Sequence, residues 1–403
     1  MTPHKILYVH HRPELGGAPS SLSHLLRTLD RDRFEPHVYC PPGPVTRLFE
    51  SSGAIVHVGP VAAFTHIWAS TYKGRRWLLF GHELQKLIPH AVAFRRTLAR
   101  ERYSLVHLND SPLVPAAWIA RANNLPVVWH LRSALAGQDL RATLLRRAVA
   151  SLSTESIAIT RDVGRSFGVD AEIIPNSVDL DHFRPGDPDV ARRELALPAG
   201  RPVVTFLGFL YPSKGFRDFI VAASLLNERG LDATYLIVGG PVRGTEFFNS
   251  ALGRVAGAFG LARDYARDAT DLVTDLGLDK HVRFLPFTKE TPLIYQASDV
   301  VVSPSRGPEL GRPVIEAAAC GRPVIASGSL DGAGILLPSV TGELVPRRSP
   351  DALAAALTRL LGDDVERRKL GAAARVHAEN TFDQVRNAER VMDLYERVLK
   401  AES

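Results

Sequence analysis

The sequence predicts an α/β protein of two domains, each an open parallel sheet covered by helices. Three observations predict it. Short β-branched and apolar runs, such as Val203–Leu207 and Val300–Val302, alternate with helical patterns along the chain. Glycine and proline gather at the carboxyl ends of those runs, where open parallel sheets bind ligands. The length, 403 residues, suffices for two domains with separate cores. An apolar content of 45% and a charged content of 23% suit a soluble globular chain, and the longest apolar runs fall far short of a membrane span.

Two cysteines, Cys40 and Cys320, are too few for a disulfide framework or a metal cluster. The opening MTPHKILYVHH has neither a long apolar stretch nor a small-residue cleavage site, so the expected location is cytoplasmic. The net charge of +6 is uneven. Residues 1–183 hold 21 Lys and Arg against 15 Asp and Glu, whereas residues 184–403 hold 28 of each, so the first half is the one suited to an anionic partner.

Taken in order, Lys5–His10 reads as a strand that runs into Gly16-Gly17 and a helix with Leu22, Leu25, Leu26 and Leu29 on one face. A glycine pair there lets the backbone approach an anion at the helix end, although neither GxGxxG nor GxxxxGK[ST] is present. Strands follow at Pro36–Cys40 and Ala54–Gly59. From Thr71 to Tyr103 eight Lys and Arg stand against Glu83 and Glu101, interleaved with Leu84, Leu87 and Ile88 and close to Trp68 and Trp77. Two readings of this stretch stay open: contact with an anionic membrane surface, peripherally on its inner face, or a helix whose arginines are simply solvated. No nucleic-acid-binding module accompanies the charge, so nucleic acid is not an expected partner.

Leu105–Asn109, Pro126–His130 and Ser156–Thr160 are further strands, the second reaching Trp129-His130-Leu131-Arg132 at its carboxyl end. Pro175–Pro185 is a crossover: Asn176 and Asp179 suit turns and caps, and Pro175, Pro185 and Pro188 forbid a helix. In the second half, Val203–Leu207 leads into Gly208 and on to Lys214-Gly215, and strands follow at Ala233–Val238 and Val282–Pro286. Ser298–Ser327 then reads as strand, ligand loop, helix and strand. Gly307, Pro308 and Gly311 make the loop, Glu316 falls in the first helical turn, and Gly321 stops the helix. Its N-terminus attracts phosphate, while Glu316 offers a carboxylate to sugar hydroxyls. Thr341–Pro346 is the last strand. The final helix, Phe382 to Leu399, carries Val385, Ala388, Val391, Leu394, Tyr395 and Val398 at helical spacing.

Ser298–Ser327 resembles the donor-nucleotide segment of the retaining glycosyltransferases of family 4, which have the GT-B fold. Gly311, Glu316, Gly321 and Pro323–Ser327 fall in register with it. The segment's first acidic residue does not: Pro308 takes its place and Glu309 follows one residue late. Pro175–Pro185 resembles the family's interdomain segment. Lys214-Gly215 resembles its Lys-Gly pair, with Phe209 where the family has a phosphate-binding Arg; Arg217, Arg243, Arg306 and Arg312 are candidate replacements.

The resemblance implies two Rossmann-like domains facing across a cleft, residues 1–180 taking the acceptor and 181–382 the donor, with a helix over 383–403 packing back on the first. It implies transfer with retention from a nucleotide-diphosphate sugar to a carbohydrate, lipid-linked or small-molecule acceptor, with no metal and no cofactor. Implied catalytic residues are His130 beside the donor sugar, Lys214 on the diphosphate and Glu309 on the sugar hydroxyls. Implied donor-binding residues are Gly16, Gly17, Gly208, Lys214, Phe287 at the base, Glu309, Leu310, Gly311, Arg312, and Glu316 at the ribose. An epimerase or phosphorylase of the same fold is one alternative. A catalytically silent partner subunit is another, suggested by Phe209 and Pro308.

Overall fold

The computed structural model describes residues 2–64, 81, 83–135, 137–240, 245–258, 263–286, 288, 290–307, 310–328 and 334–401. They divide into two compact units, Met1–Asp179 with Phe382–Ser403, and Leu180–Thr381. Each unit is a parallel sheet with helices on both faces, a Rossmann-like arrangement.

In the first unit the strands are β1 (His4–Val9), β2 (Phe34–Cys40), β3 (Ile55–Val58), β4 (Leu105–Asn109), β5 (Val127–Leu131), β6 (Glu155–Ala158) and β7 (Glu172–Ile173), in the order β3-β2-β1-β4-β5-β6-β7. The order reverses between β1 and β4, and that reversal opens a crevice at their carboxyl ends. Strand residues alternate between two cores. Leu7, Val9, Val106 and Trp129 pack with Phe94, Ala116 and Val149, while Ile6, Tyr8, Leu105 and Val128 pack with Leu22, Leu26 and the C-terminal helix Gln384–Ala401.

That helix buries Ala388, Val391, Met392, Leu394, Tyr395 and Val398, so the helical spacing identified its core face correctly with one exception. Val385 is 52% exposed because it sits in the opening turn, ahead of the buried stretch. β2 starts two residues earlier than expected and contains Pro36. The proline is tolerated because β3 pairs only from His37 onward, which leaves Pro36 facing β1 alone.

In the second unit β8 (Val203–Leu207), β9 (Thr234–Val238), β10 (Val282–Leu285), β11 (Val300–Ser303), β12 (Val324–Ser327) and β13 (Gly342–Val345) run in the order β10-β9-β8-β11-β12-β13. The reversal here lies between β8 and β11. Val204, Phe206 and Val302 share one core with Phe216, Phe219 and Leu357; Val203, Leu236 and Val238 share the other with Ala191 and Ile294. The expected strands fall within about two residues of these bounds, the usual error at element ends.

Candidate active site

In the second unit the loops after β8 and β11 are locked together. A short 3-10 turn, Pro212–Lys214, ends at Gly215, whose φ is +76°. A Cβ at Gly215 would lie 1.8 Å from the Pro304 carbonyl oxygen, so only glycine permits this approach. The backbone N–H of Arg306 donates to Ser213 O at 2.8 Å. Its guanidinium grips Asp218 through Nε to Oδ2 at 3.0 Å and Nη2 to Oδ1 at 2.6 Å. This packing leaves Lys214 exposed, with no side-chain partner among the described residues. Gly208 packs its carbonyl so closely against Gly239 that a Cβ there would come within 2.1 Å.

The helix after β11, Arg312–Ala319, is capped by Gly311 and preceded by the buried Leu310. Because it begins at Arg312, Glu316 lies in its second turn, not in its first as the sequence suggested. There the carboxylate is buried and held from both sides. Tyr295 Oη donates to Oε2 at 2.7 Å and Arg312 Nε to Oε1 at 2.9 Å. Burial and the adjacent carboxylate push the Tyr295 phenol well up, so it stays a donor. A carboxylate has about four lone-pair sites, so Glu316 keeps acceptor capacity for hydroxyls. Among the candidate arginines, Arg306, Arg312 and Arg217 are all paired, the last with Asp268 at 3.1 Å. Phe287, Glu309, Pro308 and Arg243 lie outside the described residues, as do residues 65–80, where Trp68 and Trp77 fall.

In the first unit Gly16 and Gly17 open the helix Gly17–Thr28 after β1. His130 lies in β5 and is buried. Beside it is a residue that sequence reasoning passed over, Arg132. It donates from Nε to Asn109 Oδ1 at 2.5 Å, from Nη1 to Asn176 Oδ1 at 2.7 Å and from Nη2 to His130 Nδ1 at 3.3 Å. Asn109 Nδ2 in turn meets His10 Nδ1 at 3.0 Å and Ala18 O at 3.3 Å. Burial first, and then the charge of Arg132, hold the His130 pKa well below the usual value and bring that of His10 down to about 3. Asn176, read as a turn former, is thus also an anchor for Arg132.

Comparison with known proteins now bears on the chemistry. The model for glycosyl transferases group 1 matches residues 187–377, and that for glycosyltransferase family 4 matches residues 15–182. The D-inositol 3-phosphate glycosyltransferase of Rhodococcus erythropolis is 32% identical over 321 residues, covering 73% of this chain and 68% of the relative. The chain belongs to the family 4 glycosyltransferases. A second relative, the D-inositol 3-phosphate glycosyltransferase of Nocardia farcinica, is 34% identical over 63% of this chain, but the match spans only about half of that protein, 53%.

This family 4 glycosyltransferase shares the GT-B fold with solved structures. Anabaena HepE in complex with UDP-glucose superimposes with a TM-score of 0.79 at 21% identity, covering 98% of this chain and 99% of that one. Sucrose-phosphate synthase of Thermosynechococcus elongatus gives 0.75 at 22% identity, covering 99% and 100%.

Proposed function

We propose that this glycosyltransferase moves a sugar from a nucleotide-diphosphate donor to a phosphate-bearing polyol or sugar, with retention and without a metal. The locked loops after β8 and β11 carry this reading: they hold the cationic Lys214 at the carboxyl edge of the sheet, one strand from the helix that bears Glu316. Breaking a glycosyl–phosphate bond builds negative charge on the leaving diphosphate, and an ammonium carried on a fixed backbone turn stabilises that charge where it develops. Glu316 holds ribose hydroxyls, and Gly16 and Gly17 offer backbone amides to an anion. The acceptor class follows from the basic excess in residues 1–183 together with the inositol phosphate named for the relatives.

The test is a thermal-shift screen of UDP, GDP, dTDP and ADP sugars, followed by transfer to inositol phosphate and to neutral polyols, with EDTA added in parallel. Product with the anomeric configuration of the donor, and unaffected by EDTA, supports the reading. A donor isomer formed without acceptor would make the protein an epimerase, and failure to bind any nucleoside diphosphate would make it a silent subunit.

One observation favours a second site of contact, an anionic membrane surface. On the segment that leads into the helix Leu87–Arg100, the exposed Leu84, Ile88 and Val92 repeat at four-residue spacing, with Lys86, Arg95 and Arg96 exposed beside them. The solvated face that the sequence left open therefore has an apolar stripe. Among the described residues no helix is long and apolar enough to cross a membrane. Co-sedimentation with liposomes should rise with acidic lipid and fall with salt. Binding no stronger to acidic than to neutral vesicles removes the proposal.

A further inference from the structure

His10, the residue after β1, and His130, in β5, are both buried, and neither has a hydrogen-bond partner for Nε2 among the described residues. Their Nδ1 atoms are the two ends of one chain of hydrogen bonds, and that chain has a single allowed polarity. A guanidinium has five N–H donors and no acceptor. Where Arg132 Nη2 meets His130 Nδ1, the ring nitrogen must therefore accept, and the proton of a neutral ring must be on Nε2.

The same logic extends through Asn109. Arg132 Nε, 2.5 Å away, requires the amide oxygen to face it, because an amide nitrogen there would set donor against donor. The amide nitrogen then faces His10 Nδ1, and the Ala18 carbonyl at 3.3 Å requires a donor at that same atom. His10 Nδ1 must accept as well. We propose that Arg132 is a positioning residue that fixes His10 and His130 together as imidazoles protonated on Nε2, so that each presents an N–H donor and neither can serve as a base.

The electrostatics agree. The guanidinium near both rings and their burial disfavour a second proton on either, so the neutral form holds at neutral pH. His107, whose ring meets that of His130 edge-on at 5.3 Å, does not compete for Nδ1, because its own Nδ1 is engaged with Tyr395 Oη at 2.7 Å. A buried N–H without a partner complements an oxygen acceptor, the chemistry of a sugar hydroxyl or a phosphate oxygen. That use rests on the glycosyl-transfer reading; the two tautomers do not.

The experiment is a two-bond 1H–15N spectrum of the full chain labelled with 15N-histidine at pH 7, with signals assigned from His10→Gln and His130→Gln. Both rings should show protonated Nε2 and unprotonated Nδ1. Arg132→Met should move the His130 signals toward mixed tautomers and those of His10 less far, since Asn109 keeps its Ala18 contact, and Asn109→Ala should move that of His10 while leaving that of His130 in place. A proton on Nδ1 of either ring in the wild-type protein overturns the proposal, as does an unchanged pair of signals in Arg132→Met. Should Arg132→Met fail to fold, the wild-type spectrum and the selective response to Asn109→Ala decide alone. No substrate enters these measurements, so their outcome stands apart from whether sugar transfer is found.

Discussion

Replacing Gly215 by alanine tests whether the clamp between the loops after β8 and β11 holds Lys214 in place. The added Cβ would start 1.8 Å from the Pro304 carbonyl oxygen, where ordinary contact begins at 3.4 Å, so the loops must part. That motion would break the Arg306 N–H to Ser213 O bond, now 2.8 Å, for about 1 kcal/mol. The φ of +76° adds about 1–2 kcal/mol for any residue with a Cβ. The expected loss of stability is therefore about 2–3 kcal/mol, read by urea denaturation. Calorimetry with the cognate nucleoside diphosphate should show at least tenfold weaker binding, about 1.4 kcal/mol. Gly200→Ala separates the two causes, since Gly200 has the same φ of +76° but open space around it. It should lose only that backbone cost, about 1–2 kcal/mol, and keep its nucleotide affinity. If Gly215→Ala is no worse than Gly200→Ala, the close approach does not organise the site.

Lys214→Ala should leave stability within about 0.5 kcal/mol, because the side chain is exposed, while weakening diphosphate binding at least tenfold; unchanged affinity by calorimetry would take Lys214 out of the site. Acid should destabilise the protein well before its carboxylates titrate. Burial brings the pKa of His90 down to about 4, and burial with Arg132 brings that of His10 to about 3, whereas unfolded histidine titrates near 6.5. Stability is full above about pH 6.5 and falls as pH drops toward 4 and 3, since only the unfolded chain takes up those protons; each histidine costs about 1.4 kcal/mol at pH 5.5. Equal denaturation free energies at pH 7.5 and 5.5 would mean that these rings are protonated in the fold.

Much of the fold was legible because parallel strands buried on both faces are written as continuous apolar runs. Leu105–Asn109 and Val203–Leu207 could be read to the residue for that reason. The glycine signal was equally clear at Gly321, which ends its helix with a φ of +68°; the φ of +76° at Gly215 was not, since Gly215 entered only through the resemblance of Lys214-Gly215. The polar wiring was not legible. Arg132 meets Asn109 and Asn176 across 23 and 44 residues of sequence, and Tyr295 meets Glu316 across 21. None of these three pairings follows any helical or strand period, so only the placing of strands and helices in the fold could bring them together. Glu316 falls one turn later than the sequence pattern implies for a local reason: the helix already begins at Arg312, and Pro313 is its second residue.

The arginine missing at Phe209 can be sought among its neighbours by asking what each would leave behind. Arg306 is the sole side-chain partner of the buried Asp218 among the described residues, so its departure would strand a carboxylate. Breaking that two-point pair costs about 2–3 kcal/mol. Arg312 is almost wholly enclosed and would leave Glu316 with Tyr295 alone. Arg217 differs. Its partner Asp268 is also gripped by Arg263, Nε to Oδ2 at 2.6 Å and Nη2 to Oδ1 at 3.3 Å, so Arg217 can leave without stranding it. It also stands in the first turn of the helix Phe216–Glu228, directly after Lys214-Gly215, with a side chain 39% exposed. Among the described candidates, Arg217 is therefore the one that can turn to a diphosphate at least cost. Arg217→Gln should weaken binding of the nucleoside diphosphate about tenfold with a stability change below about 0.5 kcal/mol. Arg306→Gln should instead lower stability by about 2–3 kcal/mol. Calorimetric titration and urea denaturation of both variants distinguish the roles. Unchanged affinity in Arg217→Gln, or weakened binding without lost stability in Arg306→Gln, would reverse the assignment.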